Sequence, residues 1–586
     1  MDKLQKFKNL ELETEIPAKS AAWRIYGKGM EHFGDKKKAA MIPVSEPADD
    51  EILVRSDAVG LCFSDTKIIK FGSDHPRITG RDLKKYPVIP GHEVALTVIK
   101  VGKNRLKDYR PGERYIIQAD AYYKGKSIAY GYVLPGGLTQ YGIIGKEILD
   151  GDDGSYLIPI KKTDKSYAET ALVEPWACVV ASYRIVHRDG IKNGGNLLVI
   201  GNGKPGGGWK FKKLLKKRTP KRAVFMGVEK TLQEDICGFM KRGSCETVTA
   251  GGPSPDALEK SVSAHTDGRG FDDIIILGDA DDETIAAAGE SMCEYGILNY
   301  LASTDAPQVA AIDVGKVHYD RISFIGGTSA DVNAPYTENL DYQMHGDSVI
   351  LLGAGGPMGQ MHVQLVFDNP KGPKTVIATD IAENRLEVLR EKFEPLARKK
   401  GIGFHVINPN DFSSQKEARE KILELNGGKL FDYVVCLAAI PAVIEDASSY
   451  LGNRAILNIF AGVSRGTIAH LDIKKTVTNS VRWIGSSGSK LEDMEYTLRK
   501  VEKNELDTNS AVAGVAGMND VWKGIDAVRT GSFPGKIVVY PHIPKLDLIS
   551  LKELKEKHPK IGALLSNNGG WTKAAEEELL REFLEE

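Results

Sequence analysis

Four side chains with metal-binding chemistry stand out: Cys62 in GLCFSDTK, His92 and Glu93 in PGHE, and Glu174 in VEPWACV. One thiolate, one imidazole and two carboxylates suit a Zn²⁺ ion that keeps a position exchangeable for water or substrate. Taken singly, a cysteine or histidine is more often core filler and a glutamate a solvated face. The combination carries the reading.

A second chemistry is signalled twice. VIGNGKPGGG from Val199 and LLGAGGPMGQ from Leu351 are apolar runs that stop at a glycine loop. Such a loop lets backbone approach a pyrophosphate at a helix N-terminus. A dinucleotide site also needs an acid at the end of the next strand, to bond the ribose hydroxyls. The first copy has Gly201, Gly203 and Gly206, but RAVFMGVE places Gly227 where the acid belongs, with Glu229 two residues late. The basic KFKKLLKKR after that loop reads as a solvated helix face. The second copy has Gly353, Gly355, Gly356 and Gly359, with Met358 in the same loop, and its next strand ends in Asp380. A carboxylate there repels a 2′-phosphate and favours NAD, with NADP still possible. The second copy is the expected cofactor site. The first copy's claim is its position directly after the Glu174 helix, and binding at both stays open.

The elements that must carry these residues follow from the patterning. Residues 20 to about 150 hold short β-branched runs broken by Gly and Pro, which reads as a largely antiparallel β domain. From Tyr167 the pattern becomes helical, with a proline kink or restart. The two glycine loops then open a repeat. Gly201 and Gly353 are 152 apart, FDDIII and FDYVVC 160 apart, and GILNYLAS and AILNIFAG 159 apart. IDVGKVHYDRISFIGG and LDIKKTVTNSVRWIGS are again 159 apart. Sequences that match beyond the glycine loop indicate a duplicated α/β domain, at 196–335 and 346–503. The tail, 546–586, reads as a charged amphipathic packing helix.

Bulk properties exclude other classes. The 586 residues carry a formal net charge of −1, with 42% apolar and 27% charged residues. That is an ordinary globular balance, with no electrostatic footprint for nucleic acid or a membrane surface. No run is apolar and long enough for a signal peptide or a bilayer-spanning helix, and the six scattered cysteines form no framework. A cytoplasmic protein with reduced thiols is expected.

Cys-x-Ser-Asp, Gly-His-Glu, Glu-Pro on a helix and then a Rossmann domain, in that order, resemble the zinc-dependent medium-chain dehydrogenases. YRPGERYIIQ and VWKGIDAVRTGSFPGKIVVYP look like that family's later signatures. The resemblance covers roughly residues 20–545 apart from the extra copy. It lies nearest the sorbitol, threonine and sugar-phosphate branches, and EPWACVVASYR is most similar to reductases of the L-sorbose 1-phosphate type. It implies an α/β fold, with a GroES-like β-rich catalytic domain from 20–185 and 504–545 plus two tandem Rossmann domains. It implies Cys62, His92 and Glu174 as zinc ligands, Glu93 able to replace water, and Asp65 orienting the ligand histidine. Ser64 would pass the alcohol proton outward, and Arg385 would sit on the adenine side of the cofactor. Lys67 replaces the family's usual relay histidine, where it can meet a substrate phosphate instead, and Leu96 replaces a usual glycine. No structural zinc is implied, because no cysteine lies between Cys62 and Cys178.

The implied activity is hydride transfer between a polyol or sugar phosphate and NAD. Two other classes compete: a zinc-free NADPH quinone or enone reductase, and a non-catalytic tandem nucleotide-binding scaffold or sensor. The matching late strands leading to FIGG (324–327) and WIGS (483–486) can pair within one chain. The first copy would then be a built-in partner in an intrachain pseudo-dimer, with further homo-oligomerisation open.

Overall fold

The structure is a computed structural model that describes residues 3–8, 16–185, 187–201, 208–240, 245–338 and 344–585. It divides into two compact units, Met1–Val180 with Gly488–Glu586, and Ala181–Ser487. The tail therefore belongs to the first unit, where the sequence reading had set it apart. Buried Glu576 explains this: its carboxylate accepts the Tyr167 and Ala168 N–H groups at 2.6 and 2.8 Å and the Tyr540 hydroxyl at 2.9 Å. Those two N–H groups are free donors at a helix start, so the tail supplies the partners they would otherwise lack.

In the first unit an eight-stranded sheet is built around Ile52–Gly60 and Glu93–Val101, which pair antiparallel with Gly60 opposite Glu93. Its one parallel pair joins Val512–Gly517 to Lys536–Tyr540. Helix α1 (Phe63–Phe71) follows the first strand, and α2 (Val173–Ser182) follows a short helix at Tyr167–Ala171. The expected break is a restart at Leu172. Ser166 caps the short helix and Glu169 closes the box, which fixes where the run to Glu174 begins.

The second unit holds both copies of the repeat. The first supplies β1 (Asn196–Gly201), β2 (Arg222–Met226), β3 (Glu246–Ala250), β4 (Phe271–Leu277), β5 (Met292–Leu301) and β6 (Ser323–Gly327). The second supplies β7 (Ser348–Leu352), β8 (Thr375–Thr379), β9 (Gly403–Ile407), β10 (Phe431–Cys436), β11 (Leu451–Ile459) and β12 (Arg482–Gly485). Helix α3 (Val314–Tyr319) precedes β6, and α4 (Pro357–Asp368) follows β7. The strands form one twelve-stranded sheet, in the order β3-β2-β1-β4-β5-β6-β12-β11-β10-β7-β8-β9. Each half is parallel and doubly wound, with its first and fourth strands adjacent at the topological switch. The copies are thus halves of a single sheet, not two separate domains. A second antiparallel ribbon, Ala310–Asp313 against Ile468–Leu471, links them again. Among the described residues no helix is long and apolar enough to cross a membrane.

The seam between β6 and β12 is antiparallel, with Phe324 opposite Trp483. Both side chains are fully buried and their rings lie 5.2 Å apart. A large aromatic pair at a central joint contributes area and shape that smaller residues cannot replace. Trp483→Ala is expected to destabilise the second unit by roughly 3–5 kcal/mol. Urea unfolding followed through a probe in that unit checks this, and an unchanged midpoint rejects the seam as a stabilising joint.

Candidate active site

Asp65 organises the metal-facing end of the first unit. Cys62 is the extended N-cap of α1, and Asp65, three residues on, accepts its N–H at 3.0 Å. The other Asp65 oxygen lies 3.3 Å from His92 Nδ1 and 3.3 Å from the Gly91 N–H. One carboxylate thus caps the helix bearing Cys62 and stands beside Nδ1 of His92, whose Nε2 lies next to the Ser64 hydroxyl. Gly91 takes φ +97, and a Cβ there would strike Leu138, so the tight entry into the next strand requires glycine.

The donor atoms of Cys62, His92 and Glu93 all lie within 4.8 Å of one another. Ser64 Oγ stands 3.0 Å from Cys62 Sγ and 3.2 Å from His92 Nε2. Glu93 is completely buried. Its Oε1 pairs with the equally buried Lys536, while Oε2 finds no hydrogen-bond partner in the protein. Gly60 makes room for that oxygen, since any Cβ there would collide with it. A buried carboxylate with one orphaned oxygen, on a residue grouped with a thiol and an imidazole, is costly without a cation. The donor set therefore fits a borderline divalent cation such as Zn²⁺.

Glu174 lies outside the 4.8 Å group, on α2. It remains within electrostatic reach: burial raises its carboxyl to about 7, with His92 and Lys536 opposing and Glu93 adding to the shift. Burial alone would depress the His92 imidazolium, but Tyr132, Asp65 and Cys62 outweigh it and hold the ring well above its ordinary value. A metal ion must displace that proton, so binding releases it.

Sequence reasoning missed five members of this neighbourhood: Lys536, Tyr132, His75, Arg77 and Asp120. Lys536 sits in the closing strand KIVVY, 443 residues from its partner Glu93. A lysine in an otherwise apolar, fully buried strand was the available signal. The Tyr132 ring lies 5.7 Å from both His92 and His75, with the Arg77 guanidinium 4.7 Å over it. Asp120 pairs with Arg77 at 2.5 Å. Lys67 is half-buried on α1 and adds its charge to His75 beside Arg77, so a cationic rim lies one tyrosine ring away from His92. Leu96, the other departure noted in the sequence, is simply core.

The second unit carries the glycine loops. In the second copy Gly353 takes φ +79, and the Gly353 and Ala354 N–H groups donate to the Thr379 carbonyl at 2.9 and 2.8 Å. Gly356 caps α4 with open space around its missing side chain, while a Cβ at Gly359 would strike the Ala354 backbone. That is one glycine for ligand approach and one for close packing. Met358 is half-buried in the first turn of α4, and Arg385 packs against Gly355. Asp380 accepts the Gly355 N–H at 2.9 Å and those of Ile381 and Ala382 at 2.9 and 3.1 Å, which aims it across the loop. In the first copy Gly203 and Gly206 lie outside the described residues. Gly227 closes against Gly201, where a Cβ would come within 2.6 Å of the Gly227 carbonyl, and Glu229 is exposed.

Removing Lys536 isolates a buried carboxylate. Lys536→Met is expected to destabilise the metal-free protein by roughly 3–5 kcal/mol, and adding Glu93→Gln should recover much of that loss. Denaturation of the two variants checks this, and equal stability of single and double variants would exclude a working ion pair.

A profile for the alcohol dehydrogenase GroES-like domain matches residues 48–150. Mannitol-1-phosphate 5-dehydrogenase of Aliivibrio fischeri is 27% identical over 353 residues, 56% of this chain and 80% of the relative. L-sorbose 1-phosphate reductase of Klebsiella pneumoniae is 28% identical over 334 residues, 54% of this chain and 77% of the relative. The crystal structure of 2R,3R-butanediol dehydrogenase from Bacillus subtilis shares the fold at TM-score 0.50 and 14% identity, covering 89% of this chain and 99% of that one. With a sheet that brings Cys62, His92 and Glu93 together and a doubly wound sheet bearing the glycine loops, the chain shares the fold of that dehydrogenase, and its residues 48–150 form an alcohol dehydrogenase GroES-like domain.

Proposed function

We propose that this chain is a zinc-dependent dehydrogenase that transfers hydride between a polyol or sugar phosphate and NAD. The observation that carries this is the group of half-buried Cys62 with buried His92 and Glu93, together with the orphaned Glu93 oxygen. Cys62 and His92 would hold the ion directly. Glu174 is the third protein ligand, and Glu93 is able to take the place of water. There is one zinc per chain and no structural zinc. A bound Zn²⁺ supplies Lewis acidity to the substrate oxygen, and bound NAD accepts the hydride.

The chain's own residues handle the proton and the placement. Ser64 Oγ, beside both donor atoms, takes the hydroxyl proton and passes it outward. Asp65 keeps the His92 ring in register. Lys536 pairs with one oxygen of Glu93 and fixes the carboxylate in place. Lys67 and Arg77 form the rim that would bind a phosphate, in keeping with the phosphorylated substrates in the names of the two relatives. In the second copy Gly353, Gly355, Gly356, Met358 and Gly359 cradle the pyrophosphate, Asp380 bonds the ribose, and Arg385 borders the adenine. The first copy, with its acid position lost, stands as a pseudo-dimer partner joined through β6 and β12.

Cys62→Ser is expected to lose most bound zinc and nearly all hydride transfer, because a serine hydroxyl stays neutral where a thiolate would bind. Elemental analysis of both proteins, with assays on free and phosphorylated polyols, checks this. Zinc retained at full occupancy in the variant rejects the assignment. Asp380→Asn keeps the loop's shape but removes the charge, so discrimination against NADP should fall by roughly tenfold or more, about 1.4 kcal/mol. Unchanged preference between NAD and NADP would move the cofactor to the first copy.

A further inference from the structure

In the second copy the loop that follows β11, residues 460–467, lies at the carboxyl ends of the strands, where doubly wound sheets bind their ligands. It is tied to the glycine loop in two short steps. The Phe460 and Ala461 N–H groups donate to the Cys436 carbonyl at 3.1 and 2.9 Å, and the Leu437 N–H donates to Leu352 at 2.9 Å. The Phe460 ring packs 4.4 Å from His362 of α4, the helix that the glycine loop opens.

The other side of this loop is held by the first copy. Asp313 accepts the Gly466 N–H at 2.7 Å through one oxygen and caps α3 through the other, at 3.0 Å from the Lys316 N–H. The Val314 N–H donates to the Thr467 carbonyl at 3.0 Å. Arg465 donates twice to Asp320, at 3.0 and 2.6 Å, and lies 5.1 Å over the Tyr319 ring. His318 Nδ1 sits 3.2 Å from the Ile459 carbonyl, and its ring meets Phe460 edge-on at 6.4 Å. Gly315 lies so close to Ser464 that any Cβ there would collide with its carbonyl.

The same grip runs the other way only weakly, through the Lys474 N–H, which reaches the Gln308 carbonyl at 3.5 Å. Across the 159-residue offset, Asp320 and Arg465 correspond to Asn479 and Ala306, which cannot form an ion pair. Asp313 corresponds to Asp472, but the counterpart of Gly466 is Pro307, which has no N–H to give. The first copy's own loop is held from within, by Asp279 accepting the Ser303 N–H and hydroxyl at 2.8 and 2.8 Å. Two symmetric partners would hold each other's loops alike.

We infer that α3 of the first copy is a clamp on the 460–467 loop whose side-chain grip is one-sided, with Asp313 and Asp320 as positioning residues for the second copy's cofactor. The inference rests on the second copy being the working cofactor site. It gives the nucleotide-poor first copy a task that needs no ligand of its own: it supplies the rigid wall against which the loop is set before the cofactor arrives. A loop already ordered loses less freedom on binding, so the clamp acts on affinity.

NADH binding to the full-length chain, followed by the cofactor's fluorescence, tests this. Asp320→Asn and Arg465→Gln should each weaken NADH binding by about fivefold to tenfold. The double variant should be no weaker than either single one, because both remove the same contact. Gly315→Ala, which wedges α3 away from Ser464, should weaken binding similarly. Its effect is informative because alanine otherwise favours a helix over glycine. Amide exchange at Gly466 and Thr467 should quicken in all of these, whereas Asn479→Ala at the counterpart position should change neither readout. Zinc content, measured alongside, should stay the same. Binding unchanged in Asp320→Asn and Gly315→Ala, while Asp380→Ala weakens it, overturns the clamp alone. If Asp380→Ala leaves binding intact as well, the cofactor site is elsewhere and the clamp falls with it.

Discussion

A parallel sheet that stops at an open edge leaves a row of peptide N–H and C=O groups without partners, and those groups must be paired or covered. In this chain the edge strand of each Rossmann half meets the other, β6 against β12, and the sheet runs on through the junction. The fully buried Phe324–Trp483 pair fills the middle of that joint, and the ribbon of Ala310–Asp313 with Ile468–Leu471 repeats the link nearby. Much else in the second unit depends on this closure. It sets α3 beside β12 so tightly that a Cβ at Gly485 would strike the Val317 backbone, and it brings Asp313 and Asp320 to the loop beyond β11.

The two copies have diverged in a way that this geometry explains. The second keeps an open glycine cradle and an acid bonded across it, while the first has Gly227 folded onto the end of its own first strand. Once a duplicated domain is locked into one sheet, its packing faces stay constrained by its neighbour while its ligand face is not. Strand-ending motifs such as Ile-Leu-Asn at 297–299 and 456–458 therefore match closely where the sheet must be built. The acid and the Asp320–Arg465 pair differ, because those positions serve one copy only.

In the first unit a similar economy surrounds Asp65 and Glu93. Asp65 serves helix capping and histidine orientation with separate oxygens. Glu93 gives one oxygen to Lys536 and leaves the other without a partner in the protein. A buried ion pair with one unmet lone-pair site is a poor stabilising element by itself. It becomes intelligible as a prepared wall for a cation, and for that reason the carboxylate and its lysine are best read as one functional group.

Residue types and local spacing sufficed to identify Cys62, His92 and Glu93 as metal-binding candidates, because each motif is short and chemically distinctive. The strand–loop–acid grammar around Asp380 was equally legible, since those parts lie within about 30 residues of one another in a βαβ unit. The repeat could also be read directly from matched segments at a steady offset. Lys536 could not, because its pairing spans 443 residues and a lone lysine in a strand normally points to solvent. Nor could the position of Glu174 outside the closest donor group, or the inclusion of the tail in the first unit through Glu576. Those outcomes depend on which faces meet once the sheets close. Local sequence sets strands, caps and loops through nearest-neighbour sterics and hydrogen bonds. The joining of the late strands before FIGG and WIGS was expected from their matching places and is seen in the sheet, whereas the partners of buried charges are decided only by packing between elements far apart in the chain.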